Sequence, residues 1–145
     1  MSLDAEPVIC PAIILSDGAI REHGTNKVSI IGAFDRLNAL SFPFLSPPFT
    51  VTVLLSNIAG PVERIPFTVR IEAAESAHVV ASVTGHITVP AEITKDEVME
   101  IVAPIPPSTF PSAGKYEVNV LVGTEPLDKR ILLVKSITAT QQLSP

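Results

Sequence analysis

The chain holds one cysteine, one tyrosine and no tryptophan among its 145 residues. A lone Cys10 has no partner for an internal disulfide, which points to a reducing compartment, and the expected location is the cytoplasm. Long apolar runs are missing: none approaches the roughly 18 residues that a membrane-spanning helix requires, and no basic, apolar leader opens the chain. Membrane insertion is therefore not expected. Charge is scarce as well, at 17% of residues, and the ten basic against fifteen acidic side chains leave a net charge of −5. That sign opposes attraction to phosphate backbones, so nucleic acid is not an expected partner. The seven glycines are too scattered to form G-x-x-x-x-G-K or G-x-G-x-x-G, which removes the usual phosphate cradles. No G-x-S-x-G elbow presents a serine nucleophile.

What the chain does have is β-branched residues at period two. The stretch from Phe110 to Val134 shows it best. Tyr116, Val118, Val120 and Val122 alternate with Glu117 and Asn119, the pattern of a strand with one wet face. Gly123 to Pro126 turns the chain and Ile131 to Val134 returns beside it as a hairpin. The entry Gly114-x-Tyr116-x-Val118 places a tyrosine two residues before a core position, as in the tyrosine corner of immunoglobulin-like sandwiches, so Gly114 and Tyr116 are assigned a structural role.

Other strands follow from the same rule. Lys27 to Asp35 puts Val28, Ile30 and Phe34 on one face, with Gly32 marking a bulge or a close backbone approach. Phe49 to Asn57 sets Phe49, Val51, Val53 and Leu55 inward, with Thr50, Thr52 and Ser56 assigned to a solvated face. Phe67 to Ala73 and Val79 to Val89 repeat the alternation, Gly85 again at an inward position. Val8 to Leu15 carries Pro11 and is placed on an edge or at a bulge, because proline withholds an N–H from the ladder. Ser16-Asp17-Gly18, Glu22 to Asn26 and Ala59-Gly60-Pro61 read as turns. The proline- and phenylalanine-rich Ser41 to Phe49 reads as a stiff loop folded onto the end of the core. Thr94 to Glu97 has the spacing of a capping box, but the β-branched run to Ile105 and the prolines at 104, 106 and 107 exclude a helix after it.

Turn signals recur about every ten residues, with no stretch long enough for the crossover helices of a parallel sheet. The expected fold is all-β: a two-sheet, immunoglobulin-like antiparallel sandwich of about seven to nine strands with little or no helix. Residues 8–137 are assigned to one domain, 1–7 to an appended start and N-terminal extension, and 138–145 to a flexible tail.

The segment KVSIIGAFDRLNALSFP, preceded by a short apolar strand and an Asp17-containing turn, resembles a group of small uncharacterised bacterial proteins. In those a strand of the form s-l-i-G-v-f-d is followed by f-P, and the chain ends with a G-x-Y strand and hairpin, matched here by Gly114, Tyr116 and the Gly123 turn. The resemblance implies a bacterial β-sandwich of unknown function and supplies no catalytic residues.

Residues that carry chemistry are few and dispersed. His78 and His86 lie about 26 Å apart on an extended chain, too far to share an ion. His23 beside Glu22, near Asp17, is the one cluster with ligand-type residues, and solvated loop polarity accounts for it. Cys10 in an apolar strand reads as a small core residue. Glu72 with Glu75, and Asp96 and Glu97 with Glu100, pair only along the sequence and read as solvated charges. No metal, cofactor or catalytic set is assigned, and an enzyme is not expected. The expected function is a non-enzymatic protein-binding or assembly module that self-associates or takes a protein partner by strand addition at Val8 to Leu15 or Val98 to Ile105. The alternative is a small-ligand or carbohydrate-binding sandwich using the end loops Asp17 to Asn26 and Ser41 to Pro48, with Phe42 or Phe44 exposed beside polar groups.

Overall fold

Alternating burial along each strand demands two apolar faces laid against each other, and the computed structural model, which describes residues 8–58 and 64–138, has that arrangement. The fold is all-β, with eleven strands and no helix among the described residues: β1 (Ile9–Arg21), β2 (Val28–Phe34), β3 (Arg36–Ala39), β4 (Phe44–Leu45), β5 (Phe49–Ser56), β6 (Arg64–Ala73), β7 (Val79–Thr88), β8 (Met99–Ile105), β9 (Thr109–Phe110), β10 (Gly114–Val122) and β11 (Glu125–Ser136). Nine of them make two sheets, ordered β2-β1-β5-β8 and β3-β11-β10-β6-β7, and β4 pairs with β9 in a separate ribbon. The residues 59–63, with the expected turn at Ala59-Gly60-Pro61, lie outside the described residues, as do 1–7 and 139–145.

The core draws on both sheets. Leu15, Val51, Val53 and Leu55 from one meet Val69, Ile71, Val118, Val120 and Leu132 from the other, all fully buried. Tyr116 and Phe110 close one end of this layer with rings at 87° and 4.9 Å between centroids, an edge-to-face contact of the kind aromatic quadrupoles favour. Gly85 lies opposite Phe67, whose ring atoms come within 3.0 Å of where a Cβ would stand. Phe67 thus fills the space that the missing side chain leaves.

Five local expectations need correction in whole or in part. Of the two placements expected for Val8 to Leu15, the edge is ruled out, since β1 lies between β2 and β5, and the bulge is found, as a register shift between Ile9 and Ala12 around Pro11. Ser16-Asp17-Gly18 is not a turn, since β1 runs through it to Arg21. Gly32, across from Asp17 on β2, adopts φ +67°, and a Cβ on it would overlap the Asp17 carboxylate. The close backbone approach read at Gly32 is therefore an approach by a side chain. Thr50 and Thr52 are not solvated: they are 8% and 0% exposed, although they lie on the face opposite the core. Thr52 sits in register between Ile14 and Val102, whose branched side chains flank it. Finally, the sheets are antiparallel except at β3, which pairs in parallel with β11. The chain leaves one sheet after Phe34 and joins the other at Arg36, so β3 enters beside β11 with the same direction.

The proline-rich loops hold more order than their composition suggests. Ser46 N–H donates to the Ser108 carbonyl at 2.9 Å and Ser108 N–H to Ser46 Oγ at 3.1 Å, extending the β4–β9 ribbon. The Thr94–Glu97 box forms as a turn without a helix: Thr94 N–H and Oγ1 both donate to Glu97 Oε1, at 3.3 and 3.2 Å.

Candidate functional site

Two surface features stand apart from the core. The first is an open cleft of about 600 Å³ where β7 and β8 flank the gap between the sheets. Phe67, Ile87, Met99 and Ile101 form apolar parts of its wall, and Arg21, Asn26, His86, Glu97 and Glu100 supply polar groups. Its volume is in the range of small-molecule sites. His86, which the sequence placed in a different segment from Glu97 and Glu100, shares one wall with them because β7 and β8 are the neighbouring edges of the two sheets. Nothing in a linear reading pairs those edges. The cleft takes Arg21 and Asn26 from the first expected loop but nothing from Ser41 to Pro48, which borders a separate recess of about 220 Å³ beside Asn38 and Leu40. Phe42 and Phe44 are half-buried, and Phe44 stacks on Phe110 at 6.3 Å. The two end loops therefore do not build a shared pocket.

The second feature is the β1–β2 hairpin. Its tip is tied by its own groups: Glu22 N–H donates to the Lys27 carbonyl at 2.7 Å, and Arg21 Nη1 to the Asn26 carbonyl at 3.0 Å. Glu22 accepts from Ser29 Oγ at 2.5 Å and Thr25 Oγ1 at 3.3 Å, so the carboxylate beside His23 serves the hairpin. Among the described residues no three His, Cys, Asp or Glu side chains gather as a metal site. The outward face of the hairpin carries Ile20 and Ile31, 55% and 51% exposed. Their register partners, Ser29 and Gly18, leave the two isoleucines neighbours on one face.

The remaining candidates are engaged structurally. Cys10 is half-buried and its thiol is pushed above its ordinary pKa, first by burial and then by the nearby Asp128 carboxylate, which disfavours the nucleophilic thiolate. Glu72 accepts from Asn119 Nδ2 at 3.0 Å across β6 and β10. Glu75 lines a shallow recess by Tyr116, away from the Glu97–Glu100 wall. Tyr116 is buried and its hydroxyl donates to the Ser112 carbonyl at 2.6 Å, while Gly114 between them takes φ +147°. No helix among the described residues is long and apolar enough to cross a membrane.

Comparison with curated proteins finds no match. The model of a family of unknown function, DUF6941, matches residues 11–135, from within β1 to within β11. Because that match takes in both sheets and the ribbon, the chain belongs to the DUF6941 family.

Proposed function

We propose that the protein is a non-enzymatic association module, an immunoglobulin-like sandwich that works by joining other protein surfaces. The observation that carries this reading is the β1–β2 hairpin, which presents Ile20 and Ile31 together on an outer strand and its neighbour. Exposed apolar side chains on an edge strand are a template for pairing with another chain. The scarcity of charge agrees with it, since fully buried interface centres are depleted in charged residues. Quantitative affinity capture with the intact chain from its native host, alongside its hydrodynamic mass, tests the reading. A stoichiometric protein partner or a defined oligomer is the expected result. A monomer that recovers no stoichiometric partner overturns it.

The β7–β8 cleft favours a second reading, binding of a small polar ligand or saccharide between Phe67 and the polar wall of Arg21, His86 and Glu100. A saccharide and metabolite panel scored by thermal shift, repeated with Glu100→Gln, tests it. Ligand-dependent stabilisation lost in the variant supports this reading, and no shift across the panel removes it.

A further inference from the structure

We infer that β2 is a self-pairing edge, joining two copies of the chain into one continuous eight-stranded sheet across a two-fold axis at Ile31. The inference rests on the association reading above and names its surface, partner and register.

Four strands end the two sheets: β2, β8, β3 and β7. Three of them carry devices that discourage pairing. β8 holds Pro104 and Glu100, and β3 is only four residues long and includes Arg36. β7 turns Ser82, Thr84, His86 and Thr88 to solvent. Short, charged, proline-bearing or polar edges are how sheets avoid joining. β2, with the sequence VSIIGAF, has no proline and no charge over seven residues, its one irregularity is Gly32 at φ +67°, and it exposes Ile31 at its midpoint.

An antiparallel pair about a two-fold axis must match the strand to its own reverse. Centring the axis on Ile31 overlaps all of Val28–Phe34. Val28 then faces Phe34 of the second copy, Ser29 faces Ala33, Ile30 faces Gly32, and Ile31 faces Ile31. No charge is brought opposite a like charge inside the strand. One step beyond each end the same register sets Lys27 opposite Asp35 of the second copy, twice per dimer. Asp35 uses Oδ1 to accept from Arg36 Nε at 3.1 Å, a pair with 48% exposure on the arginine side chain and 59% on the aspartate, which leaves Oδ2 to receive a second cation. Opposite charges flanking an uncharged centre fix register and orientation. Ile20, diagonal to Ile31 on the same face, extends the apolar strip to four isoleucines across the axis.

A seven-residue edge spans about 23 Å, below what a standard interface of about 800 Å² per partner occupies, so the dimer is concentration-dependent. The test is sedimentation velocity on the full chain, from micromolar loading to about 1 mM, which populates a dimer with a dissociation constant up to about 1 mM. Wild type should shift from monomer to dimer. Ile31→Lys changes a half-exposed side chain and places two like charges on the axis. It should raise the dimer dissociation constant at least about tenfold, the effect of 1.4 kcal/mol. Lys27→Asp and Asp35→Lys, each alone, set like charges against each other at both ends of the strand pair and should weaken the dimer. Mixed in equal amounts they should form a heterodimer of wild-type affinity, because both ends of the pair then bring an acid from one copy against a base from the other. Circular dichroism of each variant separates lost pairing from lost folding. A wild type that remains monomeric throughout overturns β2 pairing, while a foreign partner captured from the host would keep the association reading alive. A dimer indifferent to Ile31→Lys and to charge mixing overturns β2 pairing and leaves association through another face.

Discussion

At the scale of single residues, Tyr116 shows how a polar atom is kept in an apolar layer. The residue is 2% exposed and its ring lies edge-on to Phe110, yet the hydroxyl meets the Ser112 carbonyl at 2.6 Å. The chain reaches that carbonyl by passing through Gly114 at φ +147°, a conformation that L side chains rarely adopt. Tyr116→Phe keeps the packing but strands the Ser112 carbonyl without this donor. The expected cost is about 1–3 kcal/mol, read as a lower urea midpoint with an unchanged m-value. An unaltered midpoint would mean that the hydroxyl bond contributes nothing net. The Tyr116 position was legible in the sequence because G-x-Y-x-V combines a conformational signal with a period-two core signal. Its partner was not, since the backbone that receives the hydroxyl is set by the loop from Pro111 to Ala113, which carries no pattern of its own.

At the scale of elements, strand identity followed from alternation, whereas strand placement did not. β2, β5, β6, β7 and the β10–β11 hairpin were readable because apolar and polar residues switch faces at each step. Pro11 signals an edge or a bulge alike, and the strand takes the second course: it absorbs the proline in a register shift and continues inside the sheet. β4 and β9 were hidden in proline-rich loops, where Ser46 and Ser108 rather than apolar periodicity mark the pairing. The cleft wall of His86, Glu97 and Glu100 was invisible for a related reason: sheet order decides which edges are neighbours, and a linear pattern does not encode it. Face assignment failed at Thr52, where a strand residue taken for solvent-facing is fully buried and its Oγ1 meets no donor or acceptor among the described residues. A buried hydroxyl without a partner costs about 1–3 kcal/mol on protein mutational scales. Thr52→Val keeps the branched shape, suits a strand and removes that polar atom. The variant should be more stable by about 1 kcal/mol in chemical denaturation. Destabilisation instead would show that the hydroxyl has a partner in solution.

At the scale of the whole molecule, two sheets share a core that is non-directional, so something else must fix how they sit over one another. Arg130 on β11 does this with a directed bond: Nη1 donates to the Ile13 carbonyl of β1, in the opposite sheet, at 2.6 Å. The bond spans 117 positions of sequence, and it joins the last strand to the first. Its charged donor and partly buried setting distinguish it from the Lys129–Glu117 pair on the outer surface, 2.7 Å long but with 60% of the lysine side chain exposed, where salt screens the attraction. Arg130→Met preserves much of the stem's apolar contact and deletes the guanidinium. Losing a hydrogen bond from a charged group should cost about 1.5–3 kcal/mol, and the loss should persist at high salt because geometry and burial, rather than long-range charge, carry it. Arg130→Lys tests the geometry separately. A single ammonium lacks the planar fork that aims Nη1 at the carbonyl, so this variant should recover only part of the loss. Full recovery by lysine would make the contact one of charge alone, and an unchanged stability in Arg130→Met would show that packing by itself holds the two sheets in place.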